Sequence, residues 1–249
     1  AQARAWQAHA LWCLGYPQQA LERGLDAVKL VQDQPFNQAL ASAYLALLQQ
    51  LCADEAVARE QAEQALALAN KYQALYYRVW AGILVSYALA REQPNEERIG
   101  RLRGSITEFK ASSARLRLPY YLSLLAQVCG QAGRVEEGLA CIDEALSEAR
   151  THNERWWDAE LHRLRGELLF MQGADASDVE AALLRAISIA RSQQARSLEL
   201  RVTMSLAHLW SAQHRSADAR RRLGDVYGWF TEGFDTPDLQ AARQLLEQL

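Results

Sequence analysis

Glu160, Arg163 and Glu167 are the residues whose types and spacing come nearest to a catalytic arrangement. Glu160 and Glu167 lie seven residues apart on one face of a predicted helix, so a carboxylate pair for acid–base catalysis is geometrically possible. Two helical turns separate them by about 10 Å along the helix axis, however. We therefore interpret the two acids as a polar groove wall, with Arg163 between them.

Other residue types that support catalysis or metal binding are scattered. The sequence holds none of the motifs Gly-x-x-x-x-Gly-Lys-Ser/Thr, His-Glu-x-x-His, Gly-x-Ser-x-Gly and Gly-x-Gly-x-x-Gly. His208 and His214 are six residues apart, too far to bind one metal ion from a single helical face. No Cys-x-x-Cys pair occurs among the four cysteines, which are Cys13, Cys52, Cys129 and Cys141. The sequence predicts no catalytic residue, metal or cofactor, and a cytoplasmic protein with reduced thiols that is not an enzyme.

The composition predicts an all-α protein. Alanine occurs 43 times and leucine 38 times, and both favour helices, against 5 prolines and 13 glycines. The net charge of −3 gives no general attraction to nucleic acid or to an anionic membrane. The uncharged apolar stretch at residues 79–90 is shorter than the roughly 18 residues of a membrane-spanning helix. Because the chain lacks an initiator methionine and enters a helical pattern at once, we expect a piece of a longer polypeptide.

A repeat with a period near 40 residues organises the chain. In its clearest copy a small residue, Gly138, is followed by Ile142, Ala145 and Leu146. The corresponding first positions are separated by 38 to 41 residues and are mostly small: Ala20, Ala58, Arg98, Gly138, Val179 and Ala219. Twelve or thirteen residues before each lies a second small residue: Ala8, Ala46, Ser86, Ala126, Gly166 and Ala207. Small residues let two helices approach to about 8 Å, so each period predicts a pair of packed helices, A and B.

This pattern resembles the tetratricopeptide (TPR) repeat, whose usual period is shorter. We expect an all-α, right-handed TPR-like superhelical solenoid of about six helix pairs, forming one domain over residues 1–249. The predicted repeats are residues 1–34, 35–72, 73–116, 117–152, 153–195 and 196–230. Thr236 and Pro237 begin a last helix, and residues 236–249 are predicted to cap the final pair.

Three segments resemble a narrower family, the C-terminal TPR region of large bacterial STAND-type signalling ATPases, which carry a cyclase or DNA-binding domain at the N-terminus. The segments are residues 157–169, 190–201 and 226–239, the last containing Gly-Trp-Phe-Thr-Glu-Gly-Phe-Asp-Thr. The resemblance implies a regulatory or partner-binding module and transfers no catalytic residue. It also implies that the ATPase domain of the same polypeptide is a possible partner.

The A helices of a TPR solenoid line its concave surface, and their inward positions define a candidate binding groove. Its residues are Trp12, Trp80, Tyr87, Arg91, Tyr120, Gln127, Glu160, Arg163, Glu167 and Arg201. Aromatic rings, amides and arginines suit a peptide or protein segment. Two alternatives stay open for individual positions: Trp80 and Tyr87 could equally be core, and the arginines could form a solvated face.

The predicted function is therefore non-catalytic: a protein–protein interaction and regulatory module of a bacterial multidomain signalling protein. The alternative is a small-molecule or short-peptide sensor that controls an attached ATPase, cyclase or transcriptional regulator. An enclosed pocket of about 300 to 1,000 Å³ favours the sensor, and an open trough favours a protein partner. Nucleic acid is not expected as a partner, because the basic stretches near Arg98 and at Arg220–Arg222 fall on the predicted B helices.

Overall fold

The computed structural model describes residues 1–112 and 114–249, except for the side chain of Pro35, and these residues form thirteen α-helices and no strand. The helices are α1 (Gln2–Leu14), α2 (Pro17–Lys29), α3 (Pro35–Leu51), α4 (Glu55–Lys71), α5 (Leu75–Glu92), α6 (Glu96–Ala111), α7 (Leu118–Gln131), α8 (Val135–Thr151), α9 (Asp158–Gln172), α10 (Ala176–Ser192), α11 (Arg196–Ala212), α12 (Ser216–Tyr227) and α13 (Pro237–Gln248). The predicted all-α class and the final helix are confirmed.

Local sequence signals set the helix ends. Asp54 and Asn95 cap α4 and α6, since their side-chain oxygens accept hydrogen bonds from backbone N–H groups three residues on, at 3.2 and 3.0 Å. Pro17 and Pro237 begin α2 and α13, where the missing N–H has no partner to lose. Gly133, with φ of 74°, turns the chain between α7 and α8 in the left-handed region that glycine adopts without strain.

The contacts divide the chain into two compact units, residues 1–114 and 115–249. In the first unit the pairs are α1/α2, α3/α4 and α5/α6, and α1, α3 and α5 contact one another in series. In the second unit the pairs are α7/α8, α9/α10 and α11/α12, and α7, α9, α11 and α13 contact in series. We call these odd-numbered helices the A layer of each unit and the even-numbered helices the B layer. The six predicted helix pairs are confirmed, and the assignment of one domain to residues 1–249 stays a prediction.

The small residues of the repeat lie where helices approach closely. A Cβ atom added to Gly138 on α8 would lie 3.2 Å from the backbone oxygen of Ala126 on α7 and 3.0 Å from Leu168 on α9. One added to Gly166 on α9 would lie 2.9 Å from Leu183 on α10. Gly138, Ala126 and Gly166 all belong to the 40-residue pattern, and at these positions close helix packing explains the small residue.

The third helix pair departs from this packing. Arg98 occupies the position that is small in most other repeats, and its guanidinium donates a hydrogen bond of 2.6 Å to the backbone oxygen of Leu89 on α5. The partner position is Ser86, whose Oγ lies 3.0 Å from Ser105 Oγ on α6. Long and polar side chains thus replace the backbone approach seen at Gly138, and a cavity remains beside α5.

Candidate partner-binding site

The aromatic residues predicted for the groove of the first unit lie in its core. Trp12 and Trp80 are 2% and 0% exposed, and Tyr87 is also buried. The Trp80 ring lies 4.8 Å from the ring of Tyr44, centroid to centroid, with Tyr76 and Tyr77 further out on the same helix. Trp12, Trp80 and Tyr87 are covered by neighbouring helices and offer no surface to a partner in this structure. For Trp80 and Tyr87 this agrees with the alternative that they are core residues.

Tyr120 of the second unit is likewise core, at 0% exposure. Its ring packs 5.2 Å from that of Trp157, and Trp157 Nε1 donates a hydrogen bond of 2.9 Å to Ser123 Oγ. Gln127, also predicted for the groove, is half-buried on α7. Both residues lie on the predicted A helix, but the Tyr120 side chain points between helices.

Arg91 forms an ion pair across the first unit. Its Nη2 lies 2.5 Å from Glu55 Oε1, and this pair joins the end of α5 to the start of α4. Burial lowers the pKa of Arg91, but the charges of Tyr87 and Glu55 and the hydrogen bond to Glu55 outweigh it, so the pKa lies above its usual value. The residue is therefore occupied with holding a B helix and an A helix together.

Glu160, Arg163 and Glu167 form one network on α9. The Arg163 guanidinium donates two hydrogen bonds to the two Glu160 oxygens, at 2.7 and 2.8 Å, and another to Glu167. Ser205 on α11 joins the network, because its Oγ donates a hydrogen bond of 2.7 Å to Glu167 Oε1. The predicted placement of Arg163 between the two acids is confirmed, and the three side chains link neighbouring helices of the A layer.

Burial strengthens the interaction between the Glu160 and Arg163 charges. Burial alone raises the pKa of Glu160, but the charge and hydrogen bonds of Arg163, with the charge of Arg201, hold it below its usual 4.5. Burial likewise lowers the pKa of Arg163, and the charges of Glu160 and Glu167 more than reverse this. Glu160 is 1% exposed, so its carboxylate depends on Arg163 for compensation. Arg163 therefore has a structural role, which is to compensate the buried Glu160 carboxylate.

Arg201 lies on α11, the next helix of the A layer, and forms an ion pair with the capping helix α13. Its Nε lies 2.8 Å from Asp238 Oδ2 on α13. Sequence reasoning missed both Asp238 and Ser205. The repeat itself carries the signal that finds them, since Ser205 follows Glu167 by 38 residues and Asp238 follows Arg201 by 37, close to one period.

An open cavity of about 280 Å³ adjoins the network. Its walls come from α9, α10 and α11 and are mainly apolar: Gly166, Glu167, Phe170, Met171, Val179, Leu183, Ser205, His208 and Leu209. Phe170 and Met171 are 55% and 53% exposed at its rim. Glu167 is the charged residue of the wall, and none of the described residues donates a hydrogen bond to its Oε2. The cavity thus has a mainly apolar lining and one carboxylate in its wall, that of Glu167.

Residues 1–112 and 114–249 contain neither a metal-binding cluster nor a helix that could cross a membrane. No group of three or more His, Cys, Asp or Glu side chains is arranged there to hold a metal ion. None of the helices in these ranges has both the length and the apolar character needed to cross a membrane.

Comparison with solved structures establishes the fold class. NprR in complex with its cognate peptide NprX superposes with a TM-score of 0.72 at 14% identity, over 99% of this chain and 71% of that chain. Bacillus thuringiensis PlcR, in complex with the peptide PapR7 and DNA, gives 0.66 at 13% identity, over 81% of this chain and 73% of that chain. A Rap protein complexed with Competence and Sporulation Factor superposes with a TM-score of 0.66 at 14% identity, over 99% of this chain and 72% of that chain. The chain is a TPR-like helical solenoid.

Sequence comparison adds one relative. The uncharacterized protein R02095 of Rhizobium meliloti (strain 1021) is 32% identical over 109 residues, which are 44% of this chain and 11% of that protein. The match therefore spans about a ninth of a much longer polypeptide. No family model matches the sequence.

Proposed function

We propose that the chain is a non-catalytic regulatory module that binds a peptide segment of a partner on the A layer of its second unit. The cavity beside Glu167 carries this proposal. An apolar side chain of the peptide fills the cavity, and a basic group of the peptide hydrogen-bonds to Glu167 Oε2. The flexible, exposed Met171 and Phe170 close over the inserted side chain.

Charge supports a peptide with a basic group at this position. The network contains three carboxylates, from Glu160, Glu167 and Asp238, and two guanidiniums, from Arg163 and Arg201. The network therefore carries one net negative charge, and Glu167 is its most exposed carboxylate, with a side chain that is 41% exposed against 1% for Glu160 and 21% for Asp238. A cation placed there meets an attraction that does not require a buried charge to be uncovered.

The size of the cavity favours side chains of a peptide over a whole ligand. Pockets that enclose small molecules typically measure about 300 to 1,000 Å³, and this open cavity, at about 280 Å³, falls just below that range. NprR and PlcR, which share this fold, form complexes with the peptides NprX and PapR7. These points support a peptide ligand.

The module acts, in this proposal, within a bacterial multidomain signalling protein. The resemblance of residues 157–169, 190–201 and 226–239 to STAND-type ATPases supports this context, as does a match that covers 11% of a longer relative. Peptide binding shifts the balance between active and inactive states of an attached ATPase, cyclase or transcriptional regulator. Such a shift requires that the peptide bind the two states with different affinity.

Substitution of Glu167 tests the site with the fold intact. Glu167→Gln retains an oxygen that accepts the hydrogen bonds of Arg163 and Ser205, and it removes the charge offered to the ligand. We expect peptides selected on the immobilised protein from a random display library to bind this variant about tenfold more weakly, since a hydrogen bond to a charged group contributes roughly 1.5–3 kcal/mol. Fluorescence anisotropy of labelled peptides measures the change.

The matched control is Asp143→Asn, which removes a carboxylate of the B layer that pairs with Arg165 at 2.6 Å. Its peptide affinity should equal that of the unaltered protein. Equal affinity of the Glu167 and Asp143 variants for the selected peptides would contradict the proposed site, and failure to select any peptide would contradict the proposed function itself. Tyr87→Ala and Arg163→Ala would not test the site, because both change the fold. Tyr87→Ala leaves a cavity in the core of the first unit, and Arg163→Ala leaves the buried Glu160 carboxylate without its compensating charge.

A further inference from the structure

A second cavity, of about 400 Å³, lies in the first unit between α4, α5 and α6. Among the described residues α4 and α6 both contact α5 and do not contact each other, so a strip of α5 is left uncovered between them. Val79, Val85 and Leu89 supply an apolar floor from that strip. The proposed peptide site uses none of these residues.

Gly82 on α5 gives the cavity its depth. Glycine inside a helix is less favourable than alanine, so a helical glycine can mark a place where a Cβ atom would not fit. Gly130, Gly138 and Gly166 have one, because a Cβ atom at each would meet a neighbouring side chain at 2.8 to 3.0 Å. At Gly82 an added Cβ would meet no atom within 4 Å. The space above Gly82 is thus open to a ligand and is not required for helix packing.

One positive charge on the cavity wall is left over. Arg78 and Glu108 pair with each other at 2.9 Å, and the hydroxyls of Ser86 and Ser105 hydrogen-bond to one another. Arg101 also lines the cavity, and none of the described residues forms an ion pair with its guanidinium. The wall therefore combines an apolar floor with an arginine that has no carboxylate partner.

We propose that this cavity binds a small monocarboxylate with an apolar body. The carboxylate forms hydrogen bonds with the Arg101 guanidinium, which suits its planar pair of oxygens. The hydrocarbon body lies over Gly82 and covers the half-exposed side chains of Val85 and Leu89. This site is independent of the proposed peptide site, so either stands if the other fails.

Isothermal titration with octanoate tests the proposal, and octan-1-ol is the neutral probe of matched length. We expect saturable octanoate binding and at least tenfold weaker binding of octan-1-ol. Arg101→Ala should weaken octanoate binding about tenfold and leave octan-1-ol binding unchanged. Arg103→Ala, two residues further along α6 and outside the cavity wall, is the control and should retain octanoate affinity.

Gly82→Leu separates ligand binding from folding. Its side chain fills the open space, so octanoate binding should be lost while Tm rises, because leucine favours helix more than glycine does. Gly104→Leu makes the same change at an exposed position of α6 where a Cβ also meets nothing, and it should raise Tm without affecting octanoate binding. Equal octanoate binding by the two leucine variants would overturn the proposal, as would the absence of saturable octanoate binding by the unaltered protein.

Discussion

Arg163→Met is expected to lower the free energy of unfolding by about 3–5 kcal/mol at pH 7, the cost typical of breaking a buried ion pair by removing one partner. Arg163 supplies both hydrogen bonds that the Glu160 carboxylate accepts, at 2.7 and 2.8 Å. Its loss leaves a carboxylate that is 1% exposed without a compensating charge in direct contact. Urea unfolding followed by far-UV circular dichroism measures the difference.

Two further variants distinguish the stranded charge from a general loss of packing. Removing both partners, with Glu160→Met and Arg163→Met together, should recover most of the lost stability, because an apolar pair of similar volume is often as stable as a buried ion pair. Arg165→Met on the same helix breaks an exposed pair with Asp143 and should cost about 1 kcal/mol or less. A double variant as unstable as the sum of its single changes would show that Glu160 is not stranded by loss of Arg163.

The same pair predicts a pH dependence of opposite sign in the two proteins. In the unaltered protein the pKa of Glu160 lies below its usual 4.5, so its contribution to stability is present above about pH 4.5 and is lost as the pH falls below that value. In Arg163→Met, burial is left as the main influence and raises the pKa of Glu160. The stability deficit of the variant should therefore shrink as the pH falls from 7 toward 4.5. A deficit that stays constant over this range would contradict the assignment.

The helix pairs were predictable because their cause is local and repeated. Gly138 and Ala126 recur in kind every 40 residues, since each helix crossing needs the same close backbone approach. Capping residues such as Asn95 marked helix starts independently of that pattern. Even the weakest copy was informative, because Arg98 and Ser86 stand at the loosely packed third pair.

The 40-residue pattern could not predict which side chains of the A layer are buried. Position in a repeat tells which side of a helix a residue lies on, but each A helix is also covered by the next A helix. Trp80 and Tyr120 are therefore buried by contacts that come from other repeats. The hydrogen bonding of the Glu167 carboxylate likewise involves Ser205, which lies about one repeat further along the chain and donates a hydrogen bond to Oε1. Such features require the packing of two repeats against each other.

Gly138→Val is expected to lower the free energy of unfolding by about 1–3 kcal/mol, the usual cost of forcing extra atoms into a packed core. The neighbours on its two sides differ in how they can respond. The side chain of Leu168, 3.0 Å from an added Cβ, can change rotamer, but the backbone oxygen of Ala126, at 3.2 Å, moves only with α7. The variant should therefore push α7 and α8 apart, and urea unfolding monitors the loss.

Gly104→Val is the matched substitution at a helical glycine with open surroundings. A Cβ at Gly104 meets nothing within 4 Å, so the change should raise the free energy of unfolding slightly, by about 0.3 kcal/mol, through helix propensity alone. Opposite signs at Gly138 and Gly104 would show that the repeated small residues serve helix approach rather than helix flexibility. If Gly138→Val were neutral or stabilising, close packing would not be the reason for the 40-residue pattern, and the register of the six pairs would lose its physical basis.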